Sequence, residues 1–546
     1  MTSDVRGQRA APLSLRALAT VATVLLAGPG VYLLMRNFTS DADPAGLLIS
    51  DRTTGPLWRT LKLATLVSLS TAVLGTGLAW LTTRTDLPFR RTFRVLLTLP
   101  LVFPTFIGAA ALVRTLNPGG LVNDLLSGVG VDRTPTVGGL SGSWLVLTLF
   151  TYPYVYLPVA ARFARLPGSI EQSARLLGNS AVSVFRRIIL PQVVGSITAG
   201  TLLVYLYTIS DFGAVSILRY DTLTRAIESN QLANRPVALA LSLLLLILAA
   251  AVVLAERATR RRYSNTGAAR SMTAAQVPLG RWKWPLTGVV AFVILNALGA
   301  PLAALIDWSV RGLERGRRNG RGLTVDANEI AEVTWNTLRV SAITAIAAVL
   351  LVLPIAVLVG RYRSRVGGIG YAVAISTFAL PGILIALAAT FFISSSDWTF
   401  DMFHNTMGIL IFSYVVRFAA LAMGTTLLAV QLVPQRVRDA SQTLGASSGR
   451  RFISVELPLM LPGLLAAGGL VLLSTMKELP ISLLLSPFEF ETLATRIFST
   501  FNESFVAEAG LMALALVVLS FVATWALIIR PTERSTARET ESLRKR

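Results

Sequence analysis

Long apolar runs recur along this chain at the length a membrane-crossing helix needs, about 20 residues. They fall near 15–35, 60–83, 95–113, 143–161, 193–217 and 236–255, and again near 285–308, 335–359, 368–394, 406–430, 460–485 and 506–529. The pattern predicts an all-α integral membrane protein of twelve transmembrane helices. The first run is long, contains Gly28-Pro29-Gly30 and lacks a small-x-small exit, so it reads as a retained span and not as a signal peptide.

The two sets of six runs match each other. Trp58-Arg59-Thr60-Leu61-Lys62 corresponds to Trp335-Asn336-Thr337-Leu338-Arg339, and Phe103-Pro104 to Leu380-Pro381. Gly178 with Leu190-Pro191 corresponds to Gly445 with Leu457-Pro458, and Ser210-Asp211 to Lys477-Glu478. The chain therefore divides into a first repeat (1–256), a basic linker (257–284), a second repeat (285–530) and a tail (531–546). Six is even, so both repeats cross in the same sense. Such repeats predict a pseudo-two-fold axis along the membrane normal, with a pathway where the halves meet.

Lys and Arg set the orientation. With the N-terminus inside, the inner segments carry 32 of the 50 cations, which predicts cytoplasmic N- and C-termini. The segment 309–332, with Arg311, Arg315, Arg317, Arg318 and Arg321, is the exception and reads as an Arg-rich outer loop. A net charge of +21 would suggest nucleic acid in a soluble protein. Here only 14% of 546 residues are charged and 53% are hydrophobic, so the charge belongs to membrane topology and no nucleic-acid partner is expected. Cys is absent and His404 is the single histidine, which excludes disulfides, thiolate zinc sites and Ser-His-Asp triads. Of the four lysines, Lys62, Lys283, Lys477 and Lys545, none follows Gly-x4-Gly, so there is no P-loop and no ATP site.

The most specific signal is a loop between the fourth and fifth spans of each repeat. The first reads Glu171-Gln172-Ser173-Ala174-Arg175-Leu176-Leu177-Gly178, then Leu190-Pro191. The second reads Asp439-Ala440-Ser441-Gln442-Thr443-Leu444-Gly445, then Leu457-Pro458. The pattern predicts a short helix ended by a glycine with positive φ, a second short helix, and a proline in the first turn of the next span. Small Ala and Ser residues on the first helix predict a shallow surface that another protein could cover, followed by Arg186-Arg187 and Arg450-Arg451 at headgroup or partner depth.

These loops resemble the EAA loop of ABC-importer permeases: Glu-Ala-Ala, three residues, Gly, nine residues, Ile-x-Leu-Pro. Gln172 and Asp439 stand at the acidic position, so the first loop departs from the family pattern, although Glu171 is adjacent. Asp211-Phe212-Gly213-Ala214-Val215-Ser216 with Asp221-Thr222-Leu223-Thr224, Lys477-Glu478-Leu479-Pro480 with Glu491-Thr492-Leu493-Ala494-Thr495, and Tyr152-Pro153-Tyr154-Val155-Tyr156 with Tyr414-Val415-Val416-Arg417-Phe418 resemble the fused ferric-iron permeases. The resemblance implies a type I importer permease fold in the bacterial inner membrane, working with two copies of an ABC ATPase and an extracytoplasmic substrate-binding protein. ATP and Mg would be held by the ATPase, and this chain would bind no cofactor. Thiamine and phosphonate-type permeases share the architecture, and an ion-coupled secondary transporter is the competing class. Ferric ion wants hard oxygen ligands, and no carboxylate cage or tyrosine cluster is legible here, as befits a permease whose substrate must leave.

Four charges are candidate pathway residues. Asp211, Lys477 and Glu478 lie late in the fifth spans, as a charged outer ring or a salt bridge across the two-fold. Arg417 lies near the middle of the tenth span, where a charge costs about 2.5–3.5 kcal/mol and must face a cavity or be held at a helix break. Its repeat-equivalent region holds Tyr154, Val155 and Tyr156. Lys62 and Arg339 read as snorkelling cations, and His404 as a solvated side chain.

Overall fold

The structure is a computed structural model that describes residues 11–39, 44–118, 120, 122–123, 136–263, 277–319, 327–362, 364–503 and 505–524. Among the described residues every regular element is helical. Ten helices are long and apolar enough to cross a membrane, or twelve if each of two sharply bent pairs counts as a span.

The bent pairs are the third and ninth apolar runs, which hydropathy alone presents as continuous. Arg90–Val102 meets Thr105–Leu116 at 103°, and Arg365–Ala379 meets Gly382–Ile393 at 104°. The breaks fall at Phe103-Pro104 and Leu380-Pro381. Phe103 (ψ 129°) and Leu380 (ψ 108°) are extended, because a proline ring disfavours helical backbone in the residue before it. Pro104 and Pro381 also have no N–H to continue the ladder. The second limbs are almost wholly buried: Phe106 to Leu112 in one, Gly382 to Ala389 in the other.

The fifth and eleventh runs also end earlier than hydropathy suggests. Their helices, Leu190–Ser210 and Leu457–Thr475, stop short, and the short helices Gly213–Ile217 and Pro480–Leu485 follow. Asp211, Lys477 and Glu478 thus sit in the breaks rather than inside spans. Much of the segment expected as an outer loop is helical: Ala300–Asn319 continues through Arg311, and Ala327–Val357 begins the next span. Residues 320–326, with Arg321, lie outside the described residues, as do the middle of the linker (264–276) and the tail (531–546).

The described helices group into two compact units. One contains the described residues within 1–39, 325–496 and 515–546, the other those within 40–324 and 497–514. Within the first unit, the N-terminal helix Leu13–Thr39 packs on Ala327–Val357, Arg365–Ser376 and Gly382–Ile393, and Tyr32 meets Phe392 edge-on. Within the second unit, Ala300–Asn319 packs on Thr105–Leu116. The Tyr152–Tyr156 segment is a helix crossing in this unit. A Cβ on Gly75 or Gly200 would come within 3.0 Å of its backbone, so glycine is what lets those helices approach. Tyr156 is buried there against the Thr82 hydroxyl (3.1 Å).

Candidate functional site

The paired loops fold alike. In the second unit, helix Gly168–Leu176 ends at Gly178 with φ +84°. The Gly178 N–H donates to Arg175 O (2.9 Å) and the Asn179 N–H to Ala174 O (3.2 Å). In the first unit, helix Gln435–Thr443 ends at Gly445 with φ +79°, with Gly445 donating to Gln442 O (2.9 Å) and Ala446 to Ser441 O (3.1 Å). This six-to-one and five-to-two pattern is the Schellman stop, and its left-handed residue is the one that only glycine occupies freely. A short helix follows each glycine, then a single π turn (Phe185–Ile189, Phe452–Glu456), then the Leu-Pro that opens the long helix.

Each loop exposes leucine at its turn, among polar side chains such as Arg175 and Gln442. Leu176 is 89% exposed, Leu177 82% and Leu444 86%. Gln172, Asp439, Ala440, Pro191 and Pro458 are exposed, and Leu190 and Leu457 half-buried. Ala174 turns inward with its counterpart Ser441, so the small residues do not all form the outer surface. Glu171 is also buried. It accepts from Arg84 Nη2 (2.7 Å) and lies 3.5 Å from Arg175. Arg84, itself 1% exposed, further donates to Leu166 O (3.2 Å). The two arginine pairs differ in placement: Arg186 and Arg187 are exposed, but Arg451 is buried against Glu456 (2.9 Å).

The linker's end reaches the same place. The Val277 N–H donates to Arg84 O (2.8 Å), and Asp86 N–H donates to Val277 O (3.3 Å). Asp86 Oδ1 accepts from the Leu279 N–H (2.9 Å), and Lys283 Nζ lies 3.5 Å from Oδ2. The Leu279 N–H, followed by the Lys283 charge, holds the Asp86 carboxyl below its ordinary pKa.

The candidate pathway charges have definite neighbours within their units. The Asp211 carboxylate accepts from Thr105 Oγ1 (2.6 Å), Ala214 N–H (3.0 Å) and Val215 N–H (3.4 Å). It therefore ties the bent limb Thr105–Leu116 to the short helix after the break. Glu478 takes the equivalent place in the other unit, where a Cβ on Gly382 would strike its carboxylate. Asp with Thr105 in one repeat and Glu with Gly382 in the other fill the same space. Arg417 is half-buried and donates to Leu380 O at the break (2.6 Å). Lys477 lies two residues beyond the end of its helix at Thr475.

Two further residues escaped the sequence reading although their motifs did not. Thr60 Oγ1 accepts from the Leu223 N–H, and Thr337 Oγ1 from the Leu493 N–H, each at 2.8 Å. Each repeat's Trp-x-Thr motif is thus pinned to its Thr-Leu motif. His404 is exposed and stacks on Phe400, 4.3 Å between ring centroids.

An all-helical chain of tandem repeats, with bent spans and two matched glycine-ended loops, defines a polytopic membrane permease. The chain belongs to the family of binding-protein-dependent transport system inner membrane components, whose model matches it twice, over residues 71–265 and 352–530. It is 29% identical over 488 residues to the Fe(3+)-transport system permease protein FbpB 2 of Haemophilus influenzae, covering 88% of this chain and 91% of that one. It is also 30% identical over 165 residues to a probable molybdenum ABC transporter permease of Haloferax volcanii, covering 30% of this chain and 59% of that one. The sulfate transport system permease CysT of Salmonella typhimurium is 27% identical over 156 residues, covering 29% of this chain and 55% of that one. It is a multi-pass membrane protein of the type I importer permease fold.

Proposed function

We propose that this chain is a membrane-spanning permease subunit of an importer for ferric iron. It would be driven by two copies of a separate ATPase and fed by a substrate-binding protein at the outer face, with both termini cytoplasmic. The observation that carries the reading is the pair of loops, each presenting an exposed leucine beside a left-handed glycine, at equivalent points of the repeat. Exposed apolar side chains at a rigid turn suit a protein partner that covers them. Full-length similarity to an Fe(3+)-transport permease favours iron over the oxyanions, whose permeases match only part of this chain.

Asp211, Arg417, Lys477 and Glu478 belong to the proposal as pathway charges. In support, three of them lie against the broken helices, and irregular backbone at membrane depth is tolerated where it is buried in protein or lines a watery cavity. The test is reconstitution with an ABC ATPase and a substrate-binding protein from the same source. ATP-dependent uptake of ferric iron that sulfate and molybdate do not compete supports the reading. Uptake of an oxyanion instead changes the substrate, and uptake without ATPase overturns the class.

A further inference from the structure

The two loops are anchored by repeat-equivalent arginines but by carboxylates from different elements. Arg84 stands 26 residues after Trp58, and Arg361 stands 26 after Trp335. Glu171 lies seven residues before Gly178, and the residue seven before Gly445 is Arg438, of opposite charge. The acid reappears elsewhere. Glu456 directly precedes Leu457-Pro458, where the first repeat has Ile189 before Leu190-Pro191. Arg451 lies seven residues before Pro458, where the first repeat has Val184 before Pro191.

Glu456 is 1% exposed and holds three cations: Arg361, Arg451 Nε at 2.9 Å and Arg438 Nε at 3.4 Å. In the first repeat Glu171 holds Arg84 directly, and Ile189 and Val184 are buried apolar residues. A charge buried this deeply needs a partner, since breaking such a pair leaves the other charge uncompensated. A buried arginine at this point thus requires one acid, but not from a particular element.

Resting on the permease reading above, we infer that Arg84 and Arg361 are positioning residues that fix the two ATPase-facing helices to the ends of their long spans. The first helix is tied through its own Glu171. The second is tied through Arg438, which reaches the shared Glu456. The three positions exchange as a set, Glu171, Val184 and Ile189 for Arg438, Arg451 and Glu456, because each set balances the same arginine.

The test is transplantation. Glu456→Ile removes the carboxylate that these three arginines share, and the triple variant Arg438→Glu, Arg451→Val, Glu456→Ile rebuilds the first repeat's set in the second. Because the chain has no cysteine, Leu444→Cys in each background carries one spin label on the exposed turn. The full-length protein in nanodiscs should show a mobile label in Glu456→Ile and a wild-type label in the triple variant. With the ATPase present, transport per ATP hydrolysed should fall at least about tenfold in the single variant and return to within about threefold in the triple. Glu456→Gln replaces Glu456→Ile if the latter is not recovered from membranes.

A triple variant as mobile as the single, or not recovered while Glu456→Gln is normal, overturns the inference. A wild-type label in Glu456→Ile also overturns it. Wild-type protein that never stimulates an ATPase would instead overturn the permease reading and leave the label result to decide the anchoring.

Discussion

Arg417 gives an Nη1 hydrogen to the carbonyl of Leu380, 2.6 Å away, at the residue where the ninth apolar run bends by 104°. The proline at 381 holds Leu380 extended, which takes the Leu380 carbonyl out of the helical ladder, and the arginine binds it. Counted back from the loop prolines, Arg417 is seventeen residues before Pro434 and Phe150 is seventeen before Pro167, so its counterpart is Phe150 and not the Tyr154–Tyr156 region expected from the sequence. In the first repeat Phe150 meets Phe103, the counterpart of Leu380, with ring centroids 6.1 Å apart. One break is therefore held by an aromatic contact and the other by a cation on a carbonyl.

Arg417→Ala should lower stability by about 1.5–3 kcal/mol, the range for a hydrogen bond from a charged group. Arg417→Lys, with charge but no guanidinium fork, should recover part of it. Thermal unfolding in nanodiscs measures both, and an unchanged midpoint in Arg417→Ala would remove the bond from the fold's energetics. Uptake per folded molecule, followed in parallel, tests the pathway proposal. A wild-type rate in Arg417→Ala takes this residue out of the path.

Gly178→Val and Gly445→Val place a β-branched side chain at φ +84° and +79°. No atom stands in the way of either Cβ, so the cost is backbone strain, about 1–2 kcal/mol. The protein should insert normally, while transport falls more than the ATPase rate because the turn carrying Leu177 or Leu444 shifts. Gly445→Val should be the more damaging, since Asp439 keeps the acid that Gln172 lacks. Wild-type transport in both variants would contradict the coupling role.

Gly382→Ala should destabilise, because its Cβ meets the Glu478 carboxylate. Shortening that side chain with Glu478→Asp should relieve the clash, and Gly382→Thr with Glu478→Asp should reproduce the Thr105–Asp211 arrangement. A double-mutant cycle on the melting temperature reads the coupling. Additive effects would mean that the two positions do not share space.

Asp86 makes the linker's attachment pH-sensitive. Its pKa in the fold lies below the unfolded value, so the stabilisation is fully present above the unfolded pKa. It is lost as pH falls through the folded pKa. Wild type should melt above Asp86→Asn at neutral pH, and the gap should close on acidification towards about pH 3. A gap that is constant with pH would show that the Asp86 charge plays no part.

What the chain's one-dimensional pattern determined is what depends on local physics. Span length follows from the bilayer's thickness. The left-handed glycines and the helix-opening prolines follow from backbone sterics, and the repeat is visible because equivalent turns need equivalent residues at 178 and 445, or 191 and 458. Proline at 104 and 381 was equally legible, but hydropathy averages over a window and cannot report a bend, so two broken helices read as straight spans. Asp211 and Glu478 looked like charges inside helices because apolar residues continue past them. Only the folded chain places them at helix starts, facing Thr105 and Gly382 from more than 90 residues away. The anchoring of the loops was the least legible. Arg84 with Glu171, and Arg361 with Glu456, are 87 and 95 residues apart. The acid changes element between the repeats because electrostatic balance requires a nearby opposite charge and is indifferent to which helix supplies it.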